Sequence, residues 1–218
     1  MSADTLLYQR HLSSAREATE QCKDLRDHPS YRLSFADDDF LMQDELRHVR
    51  LQLEYLKPQL ILEQHQVKAT VVVFGSARFV SPDQALYLVQ QAQQQLQLNP
   101  ASPEAELQLK LAQRQLRNSR YYLAAEEFAA LVTRHSQQQP DQSLMIISGG
   151  GPGIMEAANK GAYQSGGQSI GLNIVLPHEQ KPNPYITPEF CFRFHYFAIR
   201  KMHFLQRARA LVAFPGGF

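Results

Sequence analysis

The stretch SGGGPGIMEAANKGA, from Ser148 to Ala162, follows directly on the apolar run LMII and decides how the rest of the chain is read. Four of the five residues from Gly149 to Gly153 are glycine. A tight strand-to-helix turn needs only one of them. The others let the backbone take positive φ and bring bare N–H groups close to a ligand. Ile154, Ala157, Ala158, Gly161 and Ala162 then share one face of a helix. The start of that helix adds unpaired N–H donors and a partial positive charge, both suited to an anion. The junction therefore reads as a phosphate-binding strand–turn–helix element, with Gly161 permitting close helix–sheet packing.

Upstream, the β-branched run TVVVF from Thr70 has the character of a central parallel strand covered on both faces. It ends in the small-residue turn Gly75-Ser76-Ala77-Arg78, and a helix is expected from Ser81-Pro82-Asp83, where a capping residue precedes proline. A Gln-rich insertion at about residues 90–120 keeps leucines at helical spacing, which predicts a helical hairpin broken near Asn99-Pro100. The helix resumes through YYLAAEEFAALVTRH. After LMIIS come the apolar runs QSIGLNIVL and ALVAF, with FCFRF as a further candidate strand. Strands alternating with helices make an α/β fold, a mostly parallel sheet flanked by helices and joined by right-handed crossovers.

Residues 1–66 read as an N-terminal helical extension and 67–218 as the nucleotide-binding domain. In the extension Leu46, Val49, Leu53, Leu56 and Leu60 recur at helical spacing, and Pro58 is expected to end or kink that helix.

The charge balance of 22 basic and 21 acidic residues, net +1, disfavours a broad nucleic-acid-binding surface but leaves room for a small anion pocket. No apolar run reaches membrane-spanning length, and the N-terminus MSADTLLYQR lacks a signal core, so a cytoplasmic protein with no membrane partner is expected. Cys22 and Cys191 lie far apart without CxxC spacing, which fits a reducing compartment.

The glycine turn narrows the ligand. Its spacing is not GxGxxG, no acidic residue closes the next strand at Ile174 to Pro177, and no Gly-Lys-Ser/Thr is present. NAD and ATP are thereby disfavoured, and a mononucleotide remains. A second constellation, His195 to His203, leads into a helix running toward Arg209. Ala198, Met202 and Leu205 are expected to face the sheet, with Arg200, His203 and Arg207 on another face. The turn Pro215-Gly216-Gly217 after ALVAF belongs at the same carboxyl edge of the sheet, where Arg200 can grip a phosphate as a fork. His195 and His203 lack metal-ligand spacing, and no GxSxG elbow is present, so neither metal nor acyl-serine chemistry is expected.

Four segments, VVVFGSAR, SGGGPGIMEAANKGA, FHYFAIRKMHF and LVAFPGGF, together resemble the LOG family, the "Lonely guy" cytokinin-activating enzymes long described as possible lysine decarboxylases. The N-terminal helices and the Gln-rich insertion resemble those of longer bacterial members. The resemblance implies a Rossmann-like fold, a homodimer or higher homo-oligomer, no cofactor, and cleavage of nucleoside 5′-monophosphates such as AMP into free base and ribose 5-phosphate. It places Arg200 in contact with substrate and assisting catalysis, with Lys201 beside it as the weaker candidate. Gly149, Gly150, Gly151 and Gly153, together with Gly216 and Gly217, would hold phosphate. Gly75, Ser76, Arg78 and Met155 would border the same site. In the family the PGG turn continues as Gly-Thr with a catalytic glutamate shortly after. Here Phe218 is the last residue, so a longer natural protein is expected and these 218 residues alone are expected to be inactive. Glu156 is the carboxylate nearest the turn, where a helix dipole favours it. The alternative function is a non-catalytic nucleotide sensor or carrier on the same scaffold. No Schiff-base lysine can be picked out for decarboxylation.

Overall fold

The computed structural model describes residues 28–176 and 181–216. The chain divides into two compact units, Met1–Gln52 and Leu53–Phe218. In the first, the short helix α1 (Asp38–Leu41) is capped by the Asp37 side chain, which accepts from Phe40 N at 3.1 Å. Arg50, in the opening turns of helix α2 (Arg47–Gln64), donates from Nη1 to the carbonyls of Leu41 and Gln43, each at 2.6 Å.

The second unit contains a five-stranded, all-parallel sheet flanked by helices, a Rossmann-like α/β arrangement. Its strands are β1 (Thr70–Phe74), β2 (Met145–Ser148), β3 (Ser169–Ile174), β4 (Cys191–Phe194) and β5 (Ala208–Ala213). The helices after α2 are α3 (Pro82–Leu98), α4 (Pro103–Gln138), α5 (Ile154–Gln164) and α6 (Phe197–Gln206). Strand order is β4-β3-β2-β1-β5. The chain therefore steps outward from β1 to β4 and returns to place β5 on the other side of β1. A reversal of this kind opens a crevice beyond the carboxyl ends of the strands, here between β1 and β5.

The run TVVVF is apolar throughout because both faces of the sheet are covered. Val71, Val73 and Ile146 pack with Ala125 and Ala129 of α4 and Ala157 of α5. Val72, Ile147 and Leu172 pack on the opposite face with Leu62 of α2 and Phe204 of α6. Ser81 caps α3 ahead of Pro82, and the helical hairpin breaks between Leu98 and Pro103, where Asn99-Pro100 predicts it. FCFRF supplies the edge strand β4.

Three expectations are corrected. Helix α2 does not end at Pro58 but carries that buried ring in its interior and continues to Gln64. The missing proline N–H costs one helical bond, and burial of the ring offsets it. The residues of α2 that face the core are Pro58 and Leu62, whereas Leu53, Leu56 and Leu60 are exposed. In α6 the inner face is not the one expected. His203 and Phe204 are buried, while Ala198, Met202 and Leu205 are exposed. A histidine can occupy this inner position because Tyr55 O accepts from its Nε2 at 3.0 Å and the Phe194 ring lies 5.4 Å away. Finally, Gly161 serves helix–helix and not helix–sheet packing, since a Cβ there would lie 2.0 Å from the Glu126 carbonyl oxygen of α4.

No described helix is long and apolar enough to cross a membrane.

Candidate functional site

β2 delivers the glycine turn to the carboxyl edge of the sheet. Ser148, its last residue, is wholly buried and accepts from Gly150 N at 3.0 Å while donating to Asn159 Oδ1 at 2.6 Å. Asn159 lies on the inner side of α5 and donates to Ser169 Oγ at 2.9 Å. Asn183 closes the network. Its Nδ2 donates to the carbonyls of Gly150 and Gly151, each at 3.1 Å, and to Asn159 Oδ1 at 3.0 Å. These bonds turn the carbonyls of Gly150 and Gly151 toward Asn183. Among the described residues, no acceptor meets the N–H of Gly151 or of Gly153.

Gly150 and Gly153 take φ of +75° and +73°, values that side-chain-bearing residues rarely adopt. Space is as restrictive as conformation at Gly153, where a Cβ would lie 2.4 Å from the Ser76 carbonyl oxygen. The turn after β1 is thus pressed against the turn after β2. Ser76 O accepts from Ile154 N at 3.1 Å, and Ser76 N donates to Pro215 O at 3.2 Å. One residue thereby links the turns after β1, β2 and β5. Gly75 is shaped by the same contact, since a Cβ there would meet the Ile154 side chain at 2.5 Å.

Arg200, in the first turn of α6, reaches over the glycine turn. Its Nε donates to Leu172 O at 2.6 Å and its Nη2 lies 3.4 Å from Gly149 O. Its guanidinium carbon lies 5.1 Å from the centre of the Phe204 ring. A Cβ on Gly149 would meet Met155 Sδ at 2.6 Å and Arg200 Nη2 at 2.8 Å, so these two side chains lie directly on the turn. Burial holds the Arg200 pKa below its ordinary value. Among the described residues no carboxylate pairs with it. A partly desolvated cation hydrogen-bonded to carbonyls and without a carboxylate partner among the described residues, beside free N–H groups, attracts an anion.

The structure thus brings together Gly75, Ser76, Gly149, Gly150, Gly151, Gly153, Met155 and Arg200, with Gly216 open at the rim. It does not bring Lys201 to them: that side chain is exposed, its Nζ 4.8 Å from the centre of the Phe197 ring. Arg78 is also exposed and joins the site through its backbone N–H, which donates to Ser76 Oγ at 3.1 Å. Gly217 lies outside the described residues, as does Cys22. Glu156 accepts from the buried Tyr122 hydroxyl of α4 at 2.8 Å, so its carboxylate is committed to a helix–helix contact. Burial, followed by that bond, pushes the Tyr122 phenol well above its usual value.

Sequence reasoning missed Asn159, Asn173 and Asn183. Asn159 carries a signal, an amide within an otherwise small and apolar helix. Asn173, at the end of β3, lies so close to Gly150 that a Cβ there would be 2.6 Å from its Oδ1. Asn183 sits between two prolines, and nothing local marks a partner some thirty residues upstream. A concavity of about 650 Å³ also opens at the opposite, amino edge of the sheet, lined by His65, Lys68, Gln142 and Arg209 among others. The candidate site is placed at the carboxyl edge, because the turns with free N–H groups and the unpaired arginine converge there.

Residues 155–218 match the family model described as "Possible lysine decarboxylase". The matched segment begins in α5 and includes Arg200 and the turn at Pro215, in agreement with the resemblance of the motifs to the LOG family. No curated protein matches the chain.

Proposed function

We propose that the protein hydrolyses the N-glycosidic bond of nucleoside 5′-monophosphates, releasing free base and ribose 5-phosphate. The match of residues 155–218 to the LOG-type family model makes an enzyme of that broad type the starting point. The observation that carries the reading is Arg200, bonded to Leu172 O and reaching toward Gly149 O without a carboxylate partner among the described residues.

In this reading the N–H groups of Gly151 and Gly153 hold the 5′-phosphate, and the start of α5 adds its positive end. Arg200 keeps Nη1 and part of Nη2 for a phosphate or ribose oxygen, in a fork that orients the sugar. Water then forms a bond to C1′ as the C1′–N bond breaks, and the departing base takes up a proton. The sugar passes through an oxocarbenium-like transition state, which a carboxylate stabilises while activating the water. Glu156 is engaged by Tyr122, and the carboxylate that this chemistry calls for is supplied, on the resemblance to the LOG family alone, by that family's catalytic glutamate.

The decarboxylase description has less support at this edge. Lys160 pairs with Glu126 at 3.2 Å and Lys201 lies on Phe197, so neither amine is directed at the glycine turn. A sensor or carrier would use the same cradle without turnover, and the commitment of Glu156 to Tyr122 is compatible with that second reading. Incubating the full-length natural protein with AMP and other nucleoside monophosphates separates the two. Release of free base together with ribose 5-phosphate is the expected result. Binding without release from any of them would leave the carrier reading and sink the hydrolase.

A further inference from the structure

We infer that Glu54 of α2 is a positioning residue for Arg200, fixing the start of α6 and through it the guanidinium over the glycine turn. The inference rests on the reading of Arg200 as the anion-binding group of the proposed reaction.

Helix α6 begins at Phe197, and its N-cap residue Tyr196 makes no side-chain capping bond. The backbone donors just before the first turn go instead to one carboxylate from another helix. Glu54 Oε2 accepts from His195 N at 2.9 Å, and Glu54 Oε1 accepts from Tyr196 N at 2.7 Å. The next link is direct, because Arg200 N donates to Tyr196 O at 3.1 Å. Both ends of the Tyr196 backbone are therefore held, one by Glu54 and the other by Arg200 itself.

The residue type matters as much as the contact. A carboxylate accepts with both oxygens, whereas glutamine at the same place would offer one oxygen and turn an NH₂ toward the second N–H. Charge-assisted bonds of this kind are shorter and stronger than neutral ones. The negative charge also lies at the positive end of α6, where the helix dipole favours it.

Two further hydrogen bonds between α2 and α6 lie further along the helix. Tyr55 O accepts from His203 Nε2 and Tyr55 Oη accepts from Gln206 Nε2, each at 3.0 Å. Phe204 and His203 are buried and hold α6 against the sheet at points that Glu54 does not touch. Within the first turn Ile199 packs against the core, and Glu54 fixes the backbone that enters that turn ahead of Arg200. The bond from Arg200 Nε to Leu172 O and the longer approach to Gly149 O depend on that placement.

The test compares wild type, Glu54→Gln, Glu54→Asp and the exposed-residue control Lys57→Ala by three measurements. These are the Arg200 Nε–H NMR resonance without nucleotide, calorimetric titration with AMP, and thermal unfolding. In Glu54→Gln the resonance should shift and exchange faster with solvent, and AMP affinity should fall about tenfold, the size of one lost charge-assisted bond. Melting should stay close to wild type. Glu54→Asp keeps the charge on a shorter stem and should fall between the two, while Lys57→Ala should match wild type throughout. An unchanged Arg200 resonance in Glu54→Gln would overturn the inference. So would equal losses in the Gln and Asp variants that simply track a lowered melting temperature. If wild type itself fails to bind AMP, the proposed function falls, while the Arg200 resonance still decides whether Glu54 positions that side chain.

Discussion

The backbone N–H of Ile154 donates to the carbonyl of Ser76 at 3.1 Å, fastening the glycine turn after β2 to the small-residue turn after β1. Ser76 in turn donates its own N–H to Pro215 O. The loops after β1, β2 and β5 therefore form one connected unit at the carboxyl edge, and substitutions within it should disturb more than the residue replaced.

Gly153→Ala is the most direct probe of that unit. The new Cβ would lie 2.4 Å from Ser76 O at a residue whose φ is +73°, so both space and conformation oppose it. A loss of about 2 to 4 kcal/mol in unfolding free energy is expected from strain plus overpacking. Urea denaturation checks it, and wild-type stability in this variant would contradict the described turn.

Asn159→Ala should be about as costly. The amide is fully buried and binds Ser148, Ser169 and Asn183 at once. Removing it strands buried polar groups, for an expected loss of about 2 to 4 kcal/mol. Denaturation together with AMP titration should show lower stability and weaker binding in the same variant.

Gly161→Ala pits helix propensity against packing. Alanine in a helix interior gains about 1 kcal/mol over glycine. Here, however, the Cβ would lie 2.0 Å from the Glu126 carbonyl oxygen, a backbone atom with little freedom to move. A net loss of about 2 kcal/mol is expected, and a rise in melting temperature would show that α4 and α5 do not meet at this glycine.

His203 predicts a pH dependence. Burial lowers its pKa below the ordinary 6.5, the Tyr55 carbonyl opposes this, and the charge of Arg207 adds to the lowering. The unfolded chain therefore binds a proton at a pH where the folded protein does not, and stability falls as pH drops below the ordinary value. The slope ends at the lower, folded pKa. Melting temperature followed from pH 7.5 downward should fall more steeply in wild type than in a His203→Gln variant; parallel profiles would remove His203 as the cause.

The parallel sheet was legible because its strands are short, β-branched and closed by turn residues, and because Ser81-Pro82 and Asn99-Pro100 mark helix boundaries by mechanisms local to the chain. The helix faces were not. Leu53, Leu56 and Leu60 have the spacing of a buried stripe, yet Pro58 and Leu62 are the buried residues, because periodicity identifies a face without saying which way it turns. In α6 the same ambiguity was resolved by a single acceptor, Tyr55 O, which makes burial of His203 tolerable. At the site, the glycines and Arg200 announced themselves by residue type. Asn183 and Glu54 did not, since each acts on backbone groups far away in sequence.

The central claim is that Arg200 and the glycine turn together hold the phosphate of a nucleoside monophosphate. It is tested most directly by calorimetric titration of AMP into wild type and Arg200→Ala. The account predicts measurable binding to wild type and a loss of about 10- to 100-fold in the variant, the range for hydrogen bonds to a charged group. Equal affinity in the two proteins, or no binding to wild type, would contradict it.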